Sequence, residues 1–419
     1  KRLSLSERQD PSKLKTLPPY YPDTPRVRED WKRNYELITA MDAWVGEHIT
    51  ALKEAGLYEN TIIVYWSDHG VGLPRAKRWL YDSGTRIPLI VRIPEKYRTP
   101  GQGKPGTVDD QLISSLDFGN TTLNLAGLPA PPVTQGRAFL GKNLTPPRDY
   151  IYGARDRMDE RYDIIRSVRD KRYRYIRTYE PLKPYFQYMN TPEKGATMKE
   201  LRRVAATGKM PAAMKLFMAK RKPVEEFYDL ENDPHEINNL AKDPAHQVIL
   251  NRFRKVHQKW STETRDLGLI PEPEMVIREK KAGSRYDILA KTDDKTLLER
   301  LGRMALLASD GEKSLPELIK GLNDKDSAVR YWAAIGIGNT GELSEKAKDA
   351  CVKVLAEESS TVVRVATARA LLRMKAEEER ALSELSKSLE SPEEWSRLHA
   401  AIALDEAEEQ ARPALPSLQ

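Results

Sequence analysis

The sequence predicts an α/β segment, then a small antiparallel α+β subdomain, then an all-α repeat solenoid, over 419 residues. Three observations carry this reading. A helical pattern is followed by two strongly apolar runs that flank a polar loop, which is the order of an α/β sheet. Several short β-rich runs come next, and from about residue 285 the chain repeats itself. Single cores usually stop growing at roughly 250 to 300 residues, so more than one domain is expected. The predicted boundaries are 1–147, 148–276 and 277–419.

Residues 10 to 30 are rich in Pro, Asp and Arg and read as an extended loop. Trp31, Tyr35, Ile38, Met41, Val45, Ile49 and Leu52 then recur at three- and four-residue steps, and Gly56 supplies a stop. This spacing predicts a helix whose apolar face buries a core. Thr61-Ile-Ile-Val-Tyr-Trp66 is a continuous β-branched and aromatic run, as a parallel strand covered on both faces requires. Ser67-Asp-His-Gly70 sits at its carboxyl end, and a second run opens at Ile87 after the turn signal Asp82-Ser-Gly84. Ligands of open α/β sheets bind at such carboxyl ends.

A helix is expected near Asp110 to Ala126, between Pro- and Gly-rich connections. Beyond it, Tyr150–Tyr152, Asp163–Val168 and Arg172–Ile176 read as strands of a small antiparallel sheet. Phe227–Leu230 closes that sheet, and a helix follows through Leu250, Phe253, Val256 and Trp260. In the last part, Ser327-Ala-Val-Arg330, Thr361-Val-Val-Arg364 and Glu394-Trp-Ser-Arg397 open three like segments, with their arginines 34 and 33 residues apart. Paired amphipathic helices at that period mark an α-solenoid, and the pattern resembles HEAT repeats.

Composition excludes several classes. No run of about 18 apolar residues is present to span a membrane. The single cysteine, Cys351, excludes an internal disulfide framework and any multi-cysteine metal site. It lies in an apolar helical stretch and reads as a core thiol. The net charge of +7 includes a basic cluster, Arg155-Asp-Arg-Met-Asp-Glu-Arg161, whose interleaved acids suit a discrete anionic ligand better than a nucleic-acid backbone. The N-terminus lacks an initiating Met and an apolar leader core, and reads as a cut end.

The pair most able to carry chemistry is Asp68 and His69, a carboxylate and an imidazole leaving one strand end toward a common cation. Taken alone, the pair fits a solvated loop or a helix cap better. Lys77 lies on the following loop, and a metal pair with a nearby cation is what binding a tetrahedral oxyanion requires. His235, His246 and His257 lie in polar surroundings and read as surface residues.

These residues resemble the sulfatase family. Asp42-Ala-Trp-Val-Gly46, Thr61–Val64 before Ser67-Asp-His-Gly70, Lys77 with Tyr81 and Gly84, and Phe227-Tyr-Asp-Leu through Leu240 occur in the family's order. The resemblance spans roughly residues 30 to 270 and is nearest the heparan N-sulfatase-like branch. It implies an alkaline-phosphatase-like α/β core and hydrolysis of a sulfate ester or sulfamate on a sulfated polysaccharide or glycosaminoglycan. It further implies a divalent ion, calcium first with Mg2+ or Mn2+ as alternatives, on Asp68 and His69, and a sulfate contact from Lys77. Arg155, Asp156 and Arg157 are expected either over the substrate, a polyanionic sugar, or in a salt-bridged surface hairpin. Arg78 reads as a solvated loop residue, and Asp42 and Asp117 as structural.

One departure is plain. The family's C-x-P-x-R or S-x-P-x-R signature, whose first residue becomes the formylglycine nucleophile, does not occur in these 419 residues. The resemblance places that signature before the Asp68–His69 loop, so the chain reads as a fragment that is inactive alone. It also implies a periplasmic or secreted location. Two alternatives stay open: a phosphatase or phosphonate hydrolase of the same superfamily, and a non-catalytic protein whose HEAT array binds a protein partner.

Overall fold

A computed structural model describes residues 8–14, 16–100, 102 and 104–418; the cut end read at residues 1–7 lies outside them. The chain forms two compact units, residues 1–178 with 183–253, and residues 179–182 with 254–419.

The first unit opens with helix α1 (Pro25–Glu54), started by the Thr24 side chain on the Val27 amide and by Pro25, whose missing N–H costs nothing at that position. It ends at Gly56, held at φ +69°, where the Leu57 amide closes on the Leu52 carbonyl. The expected core-facing stripe is not covered. Among the described residues of this helix only Val27 is buried, whereas Tyr35, Ile38, Met41 and Trp44 are exposed. Its packing is concentrated at the N-terminal end, where Trp31 meets Tyr21 edge to face at 5.9 Å. There Asp30 also accepts from the amide and hydroxyl of Thr197.

The Thr61–Trp66 run forms strand β1 (Ile63–Trp66), paired antiparallel with β2 (Leu89–Arg92), Ile63 opposite Arg92 and Trp66 opposite Leu89. The expectation of a parallel strand buried on both faces is therefore corrected. A β-branched run states that a strand can be covered, not which neighbour it takes, and here Val64, Trp66 and Ile90 face outward. Helix α2 (Asp117–Leu125) is shorter than expected. Its first residue, Asp117, is buried, accepts from the Ser114 and Arg137 amides, and pairs with Arg148. That is the structural role read for it.

A four-stranded antiparallel sheet follows in the order β3 (Ile151–Met158), β4 (Arg161–Arg169), β5 (Tyr173–Thr178) and β6 (Glu225–Asp229). Met158 opposite Arg161 closes the two-residue turn Asp159-Glu160, and the register shifts between Arg155 and Arg157. Helix α3 (Ala196–Ala206) and the residues before α1 cover one part of the sheet. They join an aromatic core that includes Tyr20, Trp79, Tyr81, Tyr185, Phe217 and Tyr228. Phe253, from helix α4 (Gln247–Glu263), packs edge to face on Tyr150 and Phe227.

The second unit is the expected helical solenoid. Three of its helices, α5 (Ser327–Thr340), α6 (Thr361–Arg373) and α7 (Glu394–Ala407), start at the three repeated tetrapeptides. The repeated arginine has a common task. Arg330, Arg364 and Arg397 each donate to the carbonyl six residues upstream, of Asp324, Glu358 and Ser391, at 2.8, 3.0 and 2.7 Å. Each thereby ties the entering turn to its helix. Trp332 is fully buried and donates to the Leu269 carbonyl. Cys351 is a core thiol, pushed up to about 12 by burial. His257 is buried and not on the surface as expected; its Nε2 lies 3.4 Å from the Tyr179 hydroxyl. The chain beyond Ala407 winds as a 3-10 stretch, Glu408–Leu418, rather than opening another α-helix.

Candidate active site

Strand β1 delivers Ser67-Asp-His-Gly70 into a loop that folds back on itself. The Ser67 hydroxyl donates to the His69 carbonyl at 2.6 Å, and His69 Nδ1 lies 2.6 Å from the Gly70 carbonyl. A carbonyl only accepts, so Nδ1 carries the proton and a neutral ring keeps its lone pair on Nε2. That Nε2 is 3.5 Å from Oδ1 of Asp68, whose carboxylate is exposed. Two electron-pair donors thus converge from one strand end, which suits a divalent cation. Among the described residues no third carboxylate, imidazole or thiolate joins them. A calcium ion takes about six to eight oxygens, so these two residues are part of a ligand set.

The next loop is built on two backbone interlocks. The Gly70 amide donates to the Gly84 carbonyl at 2.9 Å, and the Lys77 amide to the Val71 carbonyl at 3.0 Å. Any Cβ at Gly70 would sit 2.0 Å from the Ser83 carbonyl oxygen, and one at Gly84 would sit 2.2 Å from that of Ala76. Glycine is required at both places because backbone approaches backbone. Lys77 is half-buried, and its ammonium forms no ion pair among the described residues. Arg78, by contrast, is held by Asp159 at 2.5 Å.

That ion pair and a stacking contact bring the Lys77 loop to the β3–β4 hairpin. Arg155 lies over the Trp79 ring at 4.2 Å and 3.6 Å from Asp163, which also pairs with buried Lys222 at 2.7 Å. Its side chain is 1% exposed, so it points into the protein and away from solvent. Burial lowers both the Arg155 and Lys222 pKa values. Asp156 is partly exposed and pairs with Arg166 at 2.7 Å. Arg157 is exposed and donates to the Asp159 carbonyl. Of the expected substrate residues, Arg157 is the cation that faces solvent.

Sequence reasoning missed the support beneath this loop. Arg75, at φ +63° and fully buried, packs against the Tyr20, Tyr81 and Phe217 rings and donates to the Glu236 carbonyl at 2.7 Å. The Glu236 carboxylate accepts from the Asp82 amide at 2.7 Å and pairs with Arg174. Glu226 accepts from three phenols, Tyr81, Tyr185 and Tyr228. The signal was present as two carboxylates ten residues apart around Phe227-Tyr-Asp-Leu230, but no spacing rule says what they hold.

Residues 12–128 match the family described as Sulfatase, and residues 74–216 match the C-terminal region of N-sulphoglucosamine sulphohydrolase. Residues 12–216 are thus similar to sulfatases across two overlapping matches. The segments 287–371 and 315–405 match HEAT repeats. An ulvan-active sulfatase of Formosa agariphila is 40% identical over 277 residues, covering 65% of this chain and 46% of that protein. The human N-sulphoglucosamine sulphohydrolase is 28% identical over 282 residues, covering 64% of this chain and 54% of that protein. Among solved structures, a 2-O glycosaminoglycan sulfatase aligns with a TM-score of 0.39 at 22% identity, covering 62% of this chain and 51% of that one. The chain spans about half the length of the curated relatives it matches. No described helix is long and apolar enough to cross a membrane.

Proposed function

We propose that this chain is part of a hydrolase that removes sulfate, as an ester or a sulfamate, from a sulfated polysaccharide or glycosaminoglycan. The observation that carries the reading is the convergence of Asp68 and His69 at the end of β1, with the Lys77 ammonium, which has no ion pair among the described residues, on the adjoining interlocked loop. In this reading Asp68 and His69 bind a divalent cation, calcium first and Mg2+ or Mn2+ as alternatives. The cation would neutralise sulfate charge and orient its oxygens. Lys77 adds a fixed positive charge for the same anion, which costs no reorganisation as charge develops. Arg157, with Asp156 beside it, offers polar contacts to the sugar's other charged groups.

The nucleophile is proposed to be a formylglycine supplied by a part of the family's length that this chain does not span. A periplasmic or secreted location follows from the same resemblance. Its relatives include an ulvan-active sulfatase and an N-sulphoglucosamine sulphohydrolase, and a sulfated sugar is the substrate class they support for this chain. The test is sulfate release by the intact enzyme from an N-sulfated glucosamine and from ulvan, alongside phosphate release from a phosphomonoester. Sulfate release at least tenfold faster than phosphate release is expected. The reverse preference assigns the protein to phosphoryl transfer.

A further inference from the structure

Buried beneath the Lys77 loop is a carboxylate that the proposed chemistry does not use. Glu226 lies on β6, 2% exposed, and accepts three phenolic hydrogen bonds. Tyr81 and Tyr228 donate to Oε2 at 2.8 and 2.6 Å, and Tyr185 donates to Oε1 at 2.9 Å. Hydrogen bonds to an ionised acceptor are about twice as strong as neutral ones, and a buried carboxylate without them is costly. Tyr81 is the member of this set that belongs to the loop, four residues after Lys77, and both its hydroxyl and its ring are fixed. The ring is covered by the Arg75 guanidinium at 3.8 Å, and the next amide, of Asp82, is held by Glu236 at 2.7 Å.

We propose that Glu226 is a positioning residue that acts through Tyr81 to hold the Lys77 ammonium at the scissile sulfate. This rests on the sulfatase reading above. Tyr185 and Tyr228 lie outside the loop and serve to hold the carboxylate, so the mechanical path from β6 to Lys77 runs through Tyr81. A glutamine at 226 keeps one carbonyl acceptor but presents an amide N–H where the other hydroxyls donate. A phenylalanine at 81 keeps the ring under Arg75 and removes only the bond to Glu226.

The experiment is a double-mutant cycle in the intact enzyme with a sulfated sugar, using Glu226→Gln, Tyr81→Phe and Lys77→Ala. A misplacement of about 1 Å can lower a rate by about 100-fold. Glu226→Gln and Tyr81→Phe are each expected to lower kcat/KM by about 10- to 100-fold. Combining either with Lys77→Ala should cost no more than Lys77→Ala alone, because both act on the same ammonium. Multiplicative losses in the combined variants overturn the proposal, since a purely structural defect is indifferent to Lys77.

Amide hydrogen exchange on the 419-residue chain gives a second readout that needs no turnover. In Tyr81→Phe, faster exchange confined to residues 75–85 supports the clamp, and exchange that is unchanged, or raised equally across β3–β6, overturns it. If the unmutated intact enzyme releases no sulfate, the sulfatase reading fails, and the exchange result alone decides whether Glu226 clamps the loop.

Discussion

The amide of Gly70 donates to the carbonyl of Gly84 at 2.9 Å, which ties the loop carrying Asp68 and His69 to the turn that precedes β2. The contact leaves no room for a side chain on either residue. A Cβ at Gly84 would lie 2.2 Å from the Ala76 carbonyl and 2.3 Å from that of Trp79. Both are backbone atoms, which do not swing aside.

Gly84→Ala should therefore destabilise the first unit by about 1–3 kcal/mol or more, the usual scale of overpacking. Gly46→Ala is the control, because a Cβ there meets nothing within 4 Å and the residue lies mid-helix, where alanine is favoured. Urea denaturation of both variants checks this. Equal midpoints for the two would show that the loop yields easily.

Lys77 should matter to chemistry and not to folding. Its ammonium carries no ion pair among the described residues, so Lys77→Ala should leave Tm within about a degree of the unmutated protein. In the intact enzyme the same change should lower kcat/KM by about 100- to 1000-fold, the scale of one lost oxyanion-stabilising group. Near-normal sulfate release by this variant would remove Lys77 from the site.

Asp229 supplies an acid-sensitive lock. Arg172 holds its carboxylate through two bonds at 3.0 and 2.7 Å, and Asn232 and the Glu231 amide add to them. These partners lower its pKa from the ordinary 3.8 to about 2. The folded value lies below the unfolded one, so the contribution is fully present above pH about 4 and is lost as pH falls toward about 2. Asp229→Asn should be less stable at neutral pH and should lose less stability across that window. Parallel stability curves for the two proteins between pH 5 and pH 2, measured by urea titration, would contradict this.

What was legible in the sequence follows from which interactions are local. The solenoid was readable because Arg330, Arg364 and Arg397 each make the same short-range bond to a carbonyl six residues away, so the period is written into the chain. The β3–β6 sheet was readable in part, from the β-rich runs Asp163–Val168, Arg172–Ile176 and Phe227–Leu230, whereas β3 continues past the expected Tyr152 to Met158, through residues read as a charged cluster. Asp117 was readable as structural from its place in a helical segment and not at a strand end, although its partners Arg137 and Arg148 lie 20 and 31 residues on.

Long-range choices were not legible. Nothing in Thr61–Trp66 specifies that its partner is Leu89–Arg92 running antiparallel, and the stripe on α1 promised a cover that the described residues do not provide. Polar neighbours in sequence placed His257 at the surface, while tertiary packing buried it against Tyr179. The inward turn of Arg155 onto Trp79 and the clamp on Tyr81 depend on contacts 76 and 145 residues apart in the chain. No local pattern carries these.

The most direct test of the account is metal-dependent sulfate release by the intact enzyme after chelation. The carboxylate of Asp68 and the Nε2 lone pair of His69 are proposed as two ligands of one divalent ion. Chelated enzyme should lose sulfate release and regain it on adding calcium, while Asp68→Ala and His69→Ala should each need at least tenfold more calcium for the same recovery. Full turnover after chelation, or an unchanged calcium requirement in both variants, would contradict the assignment of this loop to the metal site.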